Sequence, residues 1–337
     1  MAEQGIGDLK VCPCGGAFEP LLQAGKPVTR WWPKGEVQAE VCSRCCHVRF
    51  PPPTEAELND YYRNDYGSGS EVYYTYELDH EPGRIASRAR IAIHLAETFH
   101  AGRTDPVILE LGCAFGGAVS ELRRLGRSAY GLDLNSRAIA EGRARGNSFL
   151  YDSSPDEFLG AVGVTADVIY SYHMLEHVRD LRAYLGSVAS VLNEGGIAMF
   201  RVPNGAYLRA WLKGFETWDW FAFPDHLHML TPVSAAALVR QCGFELVGLR
   251  SNACGETWES IVSWLPEAAA RGNAAVALLE EAGCLSELEF VFRKTAGATA
   301  AGLAGLNTEA VEFAQRSEAL EAEIKVRSRL LAQTILK

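Results

Sequence analysis

Residues 107–116 read Val-Ile-Leu-Glu-Leu-Gly-Cys-Ala-Phe-Gly, and residues 131–135 read Gly-Leu-Asp-Leu-Asn. An apolar strand, a turn with two glycines, a helix and a second strand ending in an acid form the pattern of a nucleoside-binding site. The glycines let the backbone approach the ligand, and Asp133 can accept hydrogen bonds from both ribose hydroxyls. This stretch therefore predicts a nucleotide-binding α/β fold.

The glycine spacing distinguishes this loop from a dinucleotide-binding loop. Dinucleotide folds use G-x-G-x-x-G to seat a pyrophosphate on a helix N-terminus, whereas here Glu110, Gly112 and Gly116 give E-x-G-x-x-x-G. Glu110 would repel a phosphate but suits an ammonium or sulfonium group, so a nicotinamide-dependent enzyme is the disfavoured alternative. The structural alternative is that the glycines form plain turns and that Asp133 is the N-cap of the next helix.

Further motifs follow the glycine loop in a fixed order. Asp152 ends the short strand 148–151, the strand 167–172 precedes His173-Met-Leu-Glu-His-Val178, and a turn at 192–196 precedes the strand 197–202. In this order the motifs resemble the class I S-adenosylmethionine-dependent methyltransferases. The resemblance covers roughly residues 85–295 and implies a doubly wound, seven-stranded Rossmann-like α/β sheet whose last strand, 287–294, is antiparallel.

The resemblance also implies which residues bind S-adenosylmethionine. In the family, the acid after the second strand binds the ribose, the acid after the third binds the adenine, and the "xxLEHV" segment lines the cofactor beside its methyl group. The residues at these positions are Glu110, Gly112, Ala114, Phe115, Gly116, Asp133, Leu134, Asp152, Ser153, His173 and His177.

The cysteines are concentrated near the N-terminus, where five of the nine fall within the first 46 residues. Cys12 and Cys14 form one knuckle, and Cys42 and Cys45 form a second one 27 residues further on. Two such knuckles can place four thiolates around a structural zinc ion, which would stabilise a segment too small to bury its own core. Cys46 and His47 are alternative ligands, and the competing interpretation is a loop with free cysteines.

The segment after the second knuckle resembles the connection between a small zinc-binding domain and the core in enzymes related to the bacterial sugar C-methyltransferases. Three prolines at 51–53 favour an extended path, and Thr54 with Glu57 predicts a capping box. The predicted organisation is a zinc-binding domain at 1–60, a linker with cofactor-covering helices at 61–105, a methyltransferase core at 106–295 with a substrate insertion at 203–230, and a linker with an amphipathic helix at 296–337.

Residues of the insertion are the candidates for substrate chemistry, because ligands bind at strand ends in open α/β sheets. Asp225-His226-Leu-His228 resembles the acid–histidine pair of the C-methyltransferase relatives, where the pair serves as a base. The resemblance assigns the base to His226 and makes Asp225 a weaker candidate, because the family usually has Glu there. A hydroxyl or acidic C–H acceptor must lose a proton, and histidine suits that near neutral pH. His228 and His173 are further catalytic candidates.

The composition and net charge of the chain limit the kinds of substrate and cellular environment that we expect. The chain has 337 residues and a net charge of −10, which argues against a nucleic-acid substrate. It has neither a run of 18 apolar residues nor a signal-like start, so we expect a cytoplasmic enzyme without a membrane span.

An apolar stripe on the predicted C-terminal helix needs a partner, either the body of the protein or a second copy in a homodimer. The residues of this stripe are Phe313, Leu320, Ile324, Leu331 and Ile335.

The sequence thus predicts a zinc-stabilised, S-adenosylmethionine-dependent methyltransferase that carries out C- or O-methylation of a small molecule with the help of histidine. One alternative is an RNA or protein methyltransferase that uses the zinc domain for docking. Another is a non-catalytic partner protein that keeps the fold and binds the cofactor without turnover.

Overall fold

The computed structural model describes residues 11–21, 38–60, 81–100, 102–221, 223, 225–253, 261, 263 and 273–295. The predicted C-terminal helix and its apolar stripe lie outside these residues. So does most of the predicted linker at 61–105, apart from the helix before the first core strand.

A seven-stranded sheet forms the centre of the molecule, with the strand order β10-β11-β8-β7-β4-β5-β6. Strands β4 to β8 run parallel to one another, and β11 pairs antiparallel with both β8 and β10. The predicted seven-stranded sheet with an antiparallel last strand is therefore confirmed. The strands are β4 Ile108–Leu111, β5 Ala129–Asp133, β6 Leu150–Asp152, β7 Ala166–Tyr172, β8 Leu192–Pro203, β10 Phe244–Asn252 and β11 Glu287–Lys294.

Helices cover both faces of this sheet. All four residues of β4 are buried, and they alternate between two apolar cores: Leu109 and Leu111 face one, Ile108 the other. A strand covered on both faces has to be apolar throughout, as this one is apart from Glu110. The helices are α1 Glu55–Asp60, α2 Pro82–Phe99, α3 Gly117–Arg124, α4 Ser136–Ala144, α5 Pro155–Val162, α6 Leu181–Val191, α7 Leu208–Lys213, α8 Pro232–Gln241 and α9 Asn273–Glu281.

Local sequence signals account for several helix starts. Thr54 and Glu57 form the predicted capping box before α1, with Thr54 N donating to Glu57 Oε2 at 2.9 Å. Thr231 caps α8 through the backbone N–H of Ser234, with proline at the first helical position. The predicted turn at 192–196 is wrong as an element boundary, because β8 begins at Leu192, pairs there with Ala166, and bulges before its register resumes.

A second, four-stranded antiparallel sheet joins the N-terminal segment to the insertion. Its order is β1-β2-β3-β9, and β9 belongs to the insertion. Phe50 packs on Phe221 and Phe223, with ring centroids 4.9 and 5.2 Å apart. The N-terminal segment therefore shares one apolar core with the insertion. The strands are β1 Phe18–Pro20, β2 Glu40–Cys42, β3 Val48–Arg49 and β9 His228–Met229.

No helix among the described residues is both long enough and apolar enough to cross a membrane.

Candidate active site

The glycine loop lies between β4 and α3 and requires glycine at both predicted positions. Gly112 and Gly116 have φ values of +73° and +69°, a region that favours glycine. A Cβ on Gly116 would lie 2.3 Å from Leu150 Cδ2, and one on Gly112 would lie 3.0 Å from Met174 Cβ. Phe115 is half-buried between the two turns of the loop. The loop is thus held against β6 on one side and against the segment after β7 on the other.

Asp133, at the end of β5, fastens this loop. Its Oδ2 accepts a hydrogen bond from Ala114 N at 2.8 Å, and its Oδ1 accepts one from Asn135 N at 2.8 Å. Asn135 is the N-cap of α4, since its side chain accepts from Ala138 N. The alternative in which Asp133 is that N-cap is therefore wrong. A carboxylate can accept about four hydrogen bonds, so Asp133 is chemically able to accept a ligand hydroxyl as well.

The residues beside Asp133 fit a nucleoside. Asp152 at the end of β6 pairs in register with Asp133, so the two predicted acids lie at neighbouring strand ends. Leu134 follows Asp133 and is 74% exposed, which leaves an apolar surface for a base. The Ser153 hydroxyl oxygen is buried and has no hydrogen-bond partner among the described residues. An exposed apolar side chain and a hydroxyl without a partner among the described residues are chemically suited to contact an adenine base.

Glu110 is 2% exposed and lies on β4 directly before the glycine loop. Burial raises the pKa of the neighbouring Tyr170 well above its usual value, and the negative charge of Glu110 adds to that shift. The carboxylate predicted to face a cationic group is thus buried beside Tyr170 at the end of β4.

A buried cluster of acids and histidines follows β7. A single 3-10 turn, Leu175–His177, places Glu176 inside the protein. His173 Nδ1 lies 3.3 Å from Glu176 Oε1, and His173 Nε2 lies 2.8 Å from Glu287 Oε1. Burial by itself would lower the pKa of His173, but the two carboxylates outweigh it and raise the pKa to about 9. His173 is therefore an imidazolium at neutral pH, held between two buried carboxylates.

This arrangement predicts a pH-dependent contribution of His173 to stability. Because its folded-state pKa of about 9 exceeds the unfolded value of about 6.5, the contribution is complete below pH 6.5 and lost as pH rises through 9. We expect it to reach about 3 kcal/mol. His173 has φ +52°, which asparagine tolerates, so His173→Asn removes the charge with little backbone strain.

The measurement is urea unfolding of the wild type and His173→Asn from pH 6 to 10. The difference between their unfolding free energies should shrink across pH 6.5–9.5. A difference that stays constant over that range contradicts the imidazolium assignment.

His226 lies beside this cluster with one ring nitrogen facing it. The backbone N–H of Leu227 donates to the carbonyl of Glu176 at 2.7 Å, which fixes the insertion on the turn after β7. His226 Nδ1 lies 2.5 Å from the carbonyl oxygen of Trp220, a contact that assigns the proton to Nδ1. Nε2 then faces Glu176 Oε1 at 3.9 Å. Burial lowers the pKa of His226 to about 4, and nearby His177 lowers it further, so the ring is neutral at pH 7.

The other predicted residues of the insertion are placed differently. His177 Nδ1 contacts the carbonyl oxygen of Asp225, and its ring centroid is 4.9 Å from that of His226. Asp225 thus contributes its backbone to the cluster. His228, two residues along β9, packs instead on His47 at 5.4 Å, and burial lowers its pKa to about 4. The structure therefore brings His173, His177 and His226 together and places His228 elsewhere.

Sequence reasoning missed the role of Glu287 in this cluster, whereas Trp220 belongs to the aromatic residues of the insertion that the sequence suggests as walls of a substrate site. Glu287 comes from β11, 114 residues after His173, and Trp220 packs edge-on against His173 at 4.8 Å. A signal for Glu287 existed, because Glu287 and Glu289 occupy alternate positions of an apolar strand and both are buried. Acids on the inward face of a buried strand require a partner.

Among the residues that the structure describes, two groups of side chains have the geometry to hold a metal ion. The sulfur atoms of Cys12, Cys14, Cys42 and Cys45 all lie within 4.8 Å of one another, with two pairs at 3.4 Å. Ligands of a tetrahedral zinc thiolate lie about 3.8 Å apart, given a Zn–S distance of about 2.3 Å. The donor set and its spacing therefore fit zinc. The second group is Glu176, His177 and His226, whose ligand atoms also lie within 4.8 Å of one another.

Neither of the two alternative zinc ligands, Cys46 and His47, belongs to the group of four cysteines. Cys46 is exposed with φ +60°, and His47 Nδ1 lies 3.6 Å from Cys12 Sγ. His47 is thus placed to donate to a thiolate, as residues next to metal ligands do.

Comparisons with known proteins give a consistent result. A family model described as "Methyltransferase domain" matches residues 84–249. The ubiquinone biosynthesis O-methyltransferase of Parvibaculum lavamentivorans is 30% identical over 190 residues, which cover 51% of this chain and 73% of that protein. The protein of the same name from Cereibacter sphaeroides is 30% identical over 172 residues, covering 45% of this chain and 66% of its own length.

Among solved structures, the chain is similar to the plantazolicin methyltransferase BamL, which was solved with a triazolic desmethylPZN analogue and S-adenosylhomocysteine. The match covers 71% of this chain and 95% of that one, at 15% identity and a TM-score of 0.49. A methyltransferase from Mesorhizobium loti covers 56% of this chain and 91% of its own, at 20% identity and a TM-score of 0.40.

Proposed function

The chain belongs to the class I S-adenosylmethionine-dependent methyltransferases, and on that premise we propose that it methylates a small molecule with His226 as the general base. The observation that carries the proposal is the contact of His226 Nδ1 with the carbonyl oxygen of Trp220, which assigns the ring proton to Nδ1. The Nε2 atom is then the acceptor of the ring, and it lies 3.9 Å from Oε1 of the buried Glu176.

In this proposal the cofactor lies along the ends of β4, β5 and β6. Asp133 binds the ribose hydroxyls, while Asp152, Leu134 and Ser153 surround the adenine. Glu110 and the loop from Gly112 through Ala114 and Phe115 to Gly116 face the methionine part, and His173 and His177 border the methyl group. S-adenosylmethionine supplies a methyl group already activated by its sulfonium, so what the protein adds is orientation and proton transfer.

His226 is the residue that moves a proton. Its Nε2 accepts the proton of the acceptor group, and the Nδ1 contact with Trp220 holds the ring in the tautomer this requires. Glu176, 3.9 Å away, stabilises the imidazolium that forms. The ion pair with His173, which also contacts Glu287, keeps the carboxylate of Glu176 ionised and in place. His173 is thus a positioning residue in this proposal.

The acceptor is proposed to be an oxygen. The relatives named as O-methyltransferases support this choice, whereas a carbon acceptor would follow from the resemblance to sugar C-methyltransferases. Incubating the enzyme with methyl-labelled S-adenosylmethionine and a panel of phenols, catechols and deoxy-sugar nucleotides tests it. A labelled methyl ether supports O-methylation, and a labelled C-methyl product supports C-methylation. A parallel incubation contains cell extract in place of the panel. Label found only in the RNA or protein of that extract contradicts the small-molecule proposal.

We further propose that the four cysteines bind a structural zinc ion. We expect about one zinc per chain by elemental analysis, and Cys42→Ser should lose it together with much of the thermal stability, since structural zinc contributes directly to folding. Cys46→Ser is the matched control, because Cys46 lies outside the sulfur group and should keep the metal.

Retention of full zinc content by Cys42→Ser contradicts the proposed site. A second equivalent of metal that disappears in His226→Ala would mean that Glu176, His177 and His226 hold a cation. That result would contradict His226 as the base.

A further inference from the structure

The backbone of Leu227 joins the turn after β7 to the N-terminal sheet. Its N–H donates to the carbonyl of Glu176 at 2.7 Å, and its carbonyl accepts from the backbone N–H of Phe50 at 3.0 Å. Leu227 directly follows His226 and is fully buried. The residue next to the proposed base is thus held from two sides, by the core through Glu176 and by the N-terminal sheet through Phe50.

The side chain of Phe50 supports the second contact that orients the His226 ring. Phe50 is 1% exposed, and its ring packs on Phe221 with centroids 4.9 Å apart. Phe221 shares a peptide unit with Trp220, whose carbonyl oxygen lies 2.5 Å from His226 Nδ1. Phe50 therefore contacts both chain segments that orient this histidine, Leu227 through its backbone and Phe221 through its ring.

The strands of the N-terminal sheet hold Phe50 in turn. Phe50 directly follows β3, which pairs with β9 on one side and with β2 on the other. Strand β2 ends at Cys42, whose backbone N–H donates to the carbonyl of His47 at 2.8 Å. A series of backbone hydrogen bonds thus connects the group of four cysteines to the segment that carries the proposed base.

The core also anchors this sheet at the cysteines. The four cysteines pack against Val233 and Ala237 of α8. Gln241, at the end of α8, donates from Nε2 to the carbonyl of Pro13 at 2.6 Å. The sheet is therefore fixed on the core at two places, at the cysteines and at the segment of the base, and close packing between them keeps Phe50 in place.

We propose that Phe50 is a positioning residue for methyl transfer, and that the N-terminal sheet acts through it to hold His226 beside Glu176. The inference rests on the proposed function, because it takes His226 as the base. It makes the N-terminal sheet part of the acceptor half of the site, whereas the sequence predicts only a zinc-stabilised segment there. Displacing a reacting group by about 1 Å lowers a rate by about 10²-fold, so losing this support should act on turnover.

The direct test is NMR of the ring nitrogens in protein that contains nitrogen-labelled histidine, because this measurement needs no acceptor. Phe50→Leu keeps the backbone N–H and an apolar side chain but removes the ring contact with Phe221. We expect the His226 signals of the wild type to show the proton on Nδ1, and those of Phe50→Leu to show a mixture of both tautomers. The His226 signals are identified by their loss in His226→Ala.

Turnover provides the second readout, with the panel compound that the wild type methylates fastest as the acceptor. Phe50→Leu should lower kcat about 10²-fold. The Kd for S-adenosylmethionine should stay unchanged, because Asp133 and Asp152 lie at the ends of β5 and β6. In the His226→Ala background the same change should cause no further loss of kcat, since a residue that acts through the base is not additive with its removal.

Phe244→Leu is the matched control. Phe244 is 4% exposed and packs on Phe292 with ring centroids 4.8 Å apart, so the change removes a buried ring contact of the same kind. Phe244 pairs with Lys294, at the opposite end of β11 from Glu287. The His226 signals and the kcat of this variant should match those of the wild type.

Wild-type His226 signals in a folded Phe50→Leu protein overturn the proposal, as does an equal change in Phe244→Leu or a loss of kcat that recurs in the His226→Ala background. Full turnover by His226→Ala refutes the proposed function instead, and altered His226 signals in Phe50→Leu would then still support the placement of this ring by Phe50. If Phe50→Leu does not fold, Phe221→Leu replaces it, because it removes the same ring contact from the other side.

Discussion

Asp133→Ala is expected to remove measurable S-adenosylmethionine binding. Asp133 has two roles at once, since it holds the glycine loop through Ala114 N and is proposed to accept the ribose hydroxyls. Hydrogen bonds to a charged group contribute about 1.5–3 kcal/mol each, so losing two of them weakens binding by about 10²–10⁴-fold. Isothermal titration calorimetry with S-adenosylmethionine and S-adenosylhomocysteine measures the effect.

The matched control is Asp105, which contacts the residue before the opposite end of β5. It accepts hydrogen bonds from Ser128 Oγ at 2.6 Å and from the backbone N–H of Ser128 at 3.3 Å. Asp105→Ala removes an acid–backbone contact of similar kind away from Asp133, and it should bind the cofactor like the wild type. Normal binding by a folded Asp133→Ala protein would refute the role of this carboxylate.

His226→Ala is expected to leave cofactor binding intact and to lower kcat by about 10²–10⁴-fold, the usual contribution of a general base. The proposed role of His226 as the base needs only its Nε2 lone pair. Asp133 and Asp152, which are proposed to bind the cofactor, lie at the ends of β5 and β6 and keep their positions in this variant. His94→Ala is the control, because His94 is exposed on α2 and should turn over normally. Unchanged kcat in His226→Ala would remove His226 as the base.

The pH profile of the wild type provides an independent check on His226. Since burial lowers its pKa to about 4, the ring stays unprotonated at neutral pH and becomes protonated only in acid. The acid limb of kcat/KM should therefore fall near pH 4–5, well below the usual value of about 6.5 for histidine. An acid limb centred near pH 6.5 would contradict this environment for the base.

The cofactor half of the site was predictable because its residues follow one another closely along the chain. Gly112, Gly116 and Asp133 carry local constraints: two positive φ angles and an acid at the end of a strand. Such features depend on strand–turn–helix geometry, which sequence spacing describes well. For the same reason β11 was predicted with its observed bounds, since alternation along a single strand identifies it.

The acceptor half was predictable only in part, because long-range contacts build it. The pair of His226 and His228 was identified, but their separation depends on β9, a two-residue strand with no periodic signal of its own. Pairing of β9 with β3 turns His228 toward His47. Glu287 reaches His173 through the pairing of β11 with β8, which no local pattern in the sequence specifies.

The central claim is that neighbouring strand ends bearing Asp133 and Asp152 form a site for the nucleoside of S-adenosylmethionine. Calorimetric titration of the purified wild-type protein with S-adenosylmethionine, S-adenosylhomocysteine and NAD tests it most directly. We expect both sulfur-containing nucleosides to bind at one site per chain and NAD to give no heat of binding. Binding of NAD with no response to the other two would contradict the account.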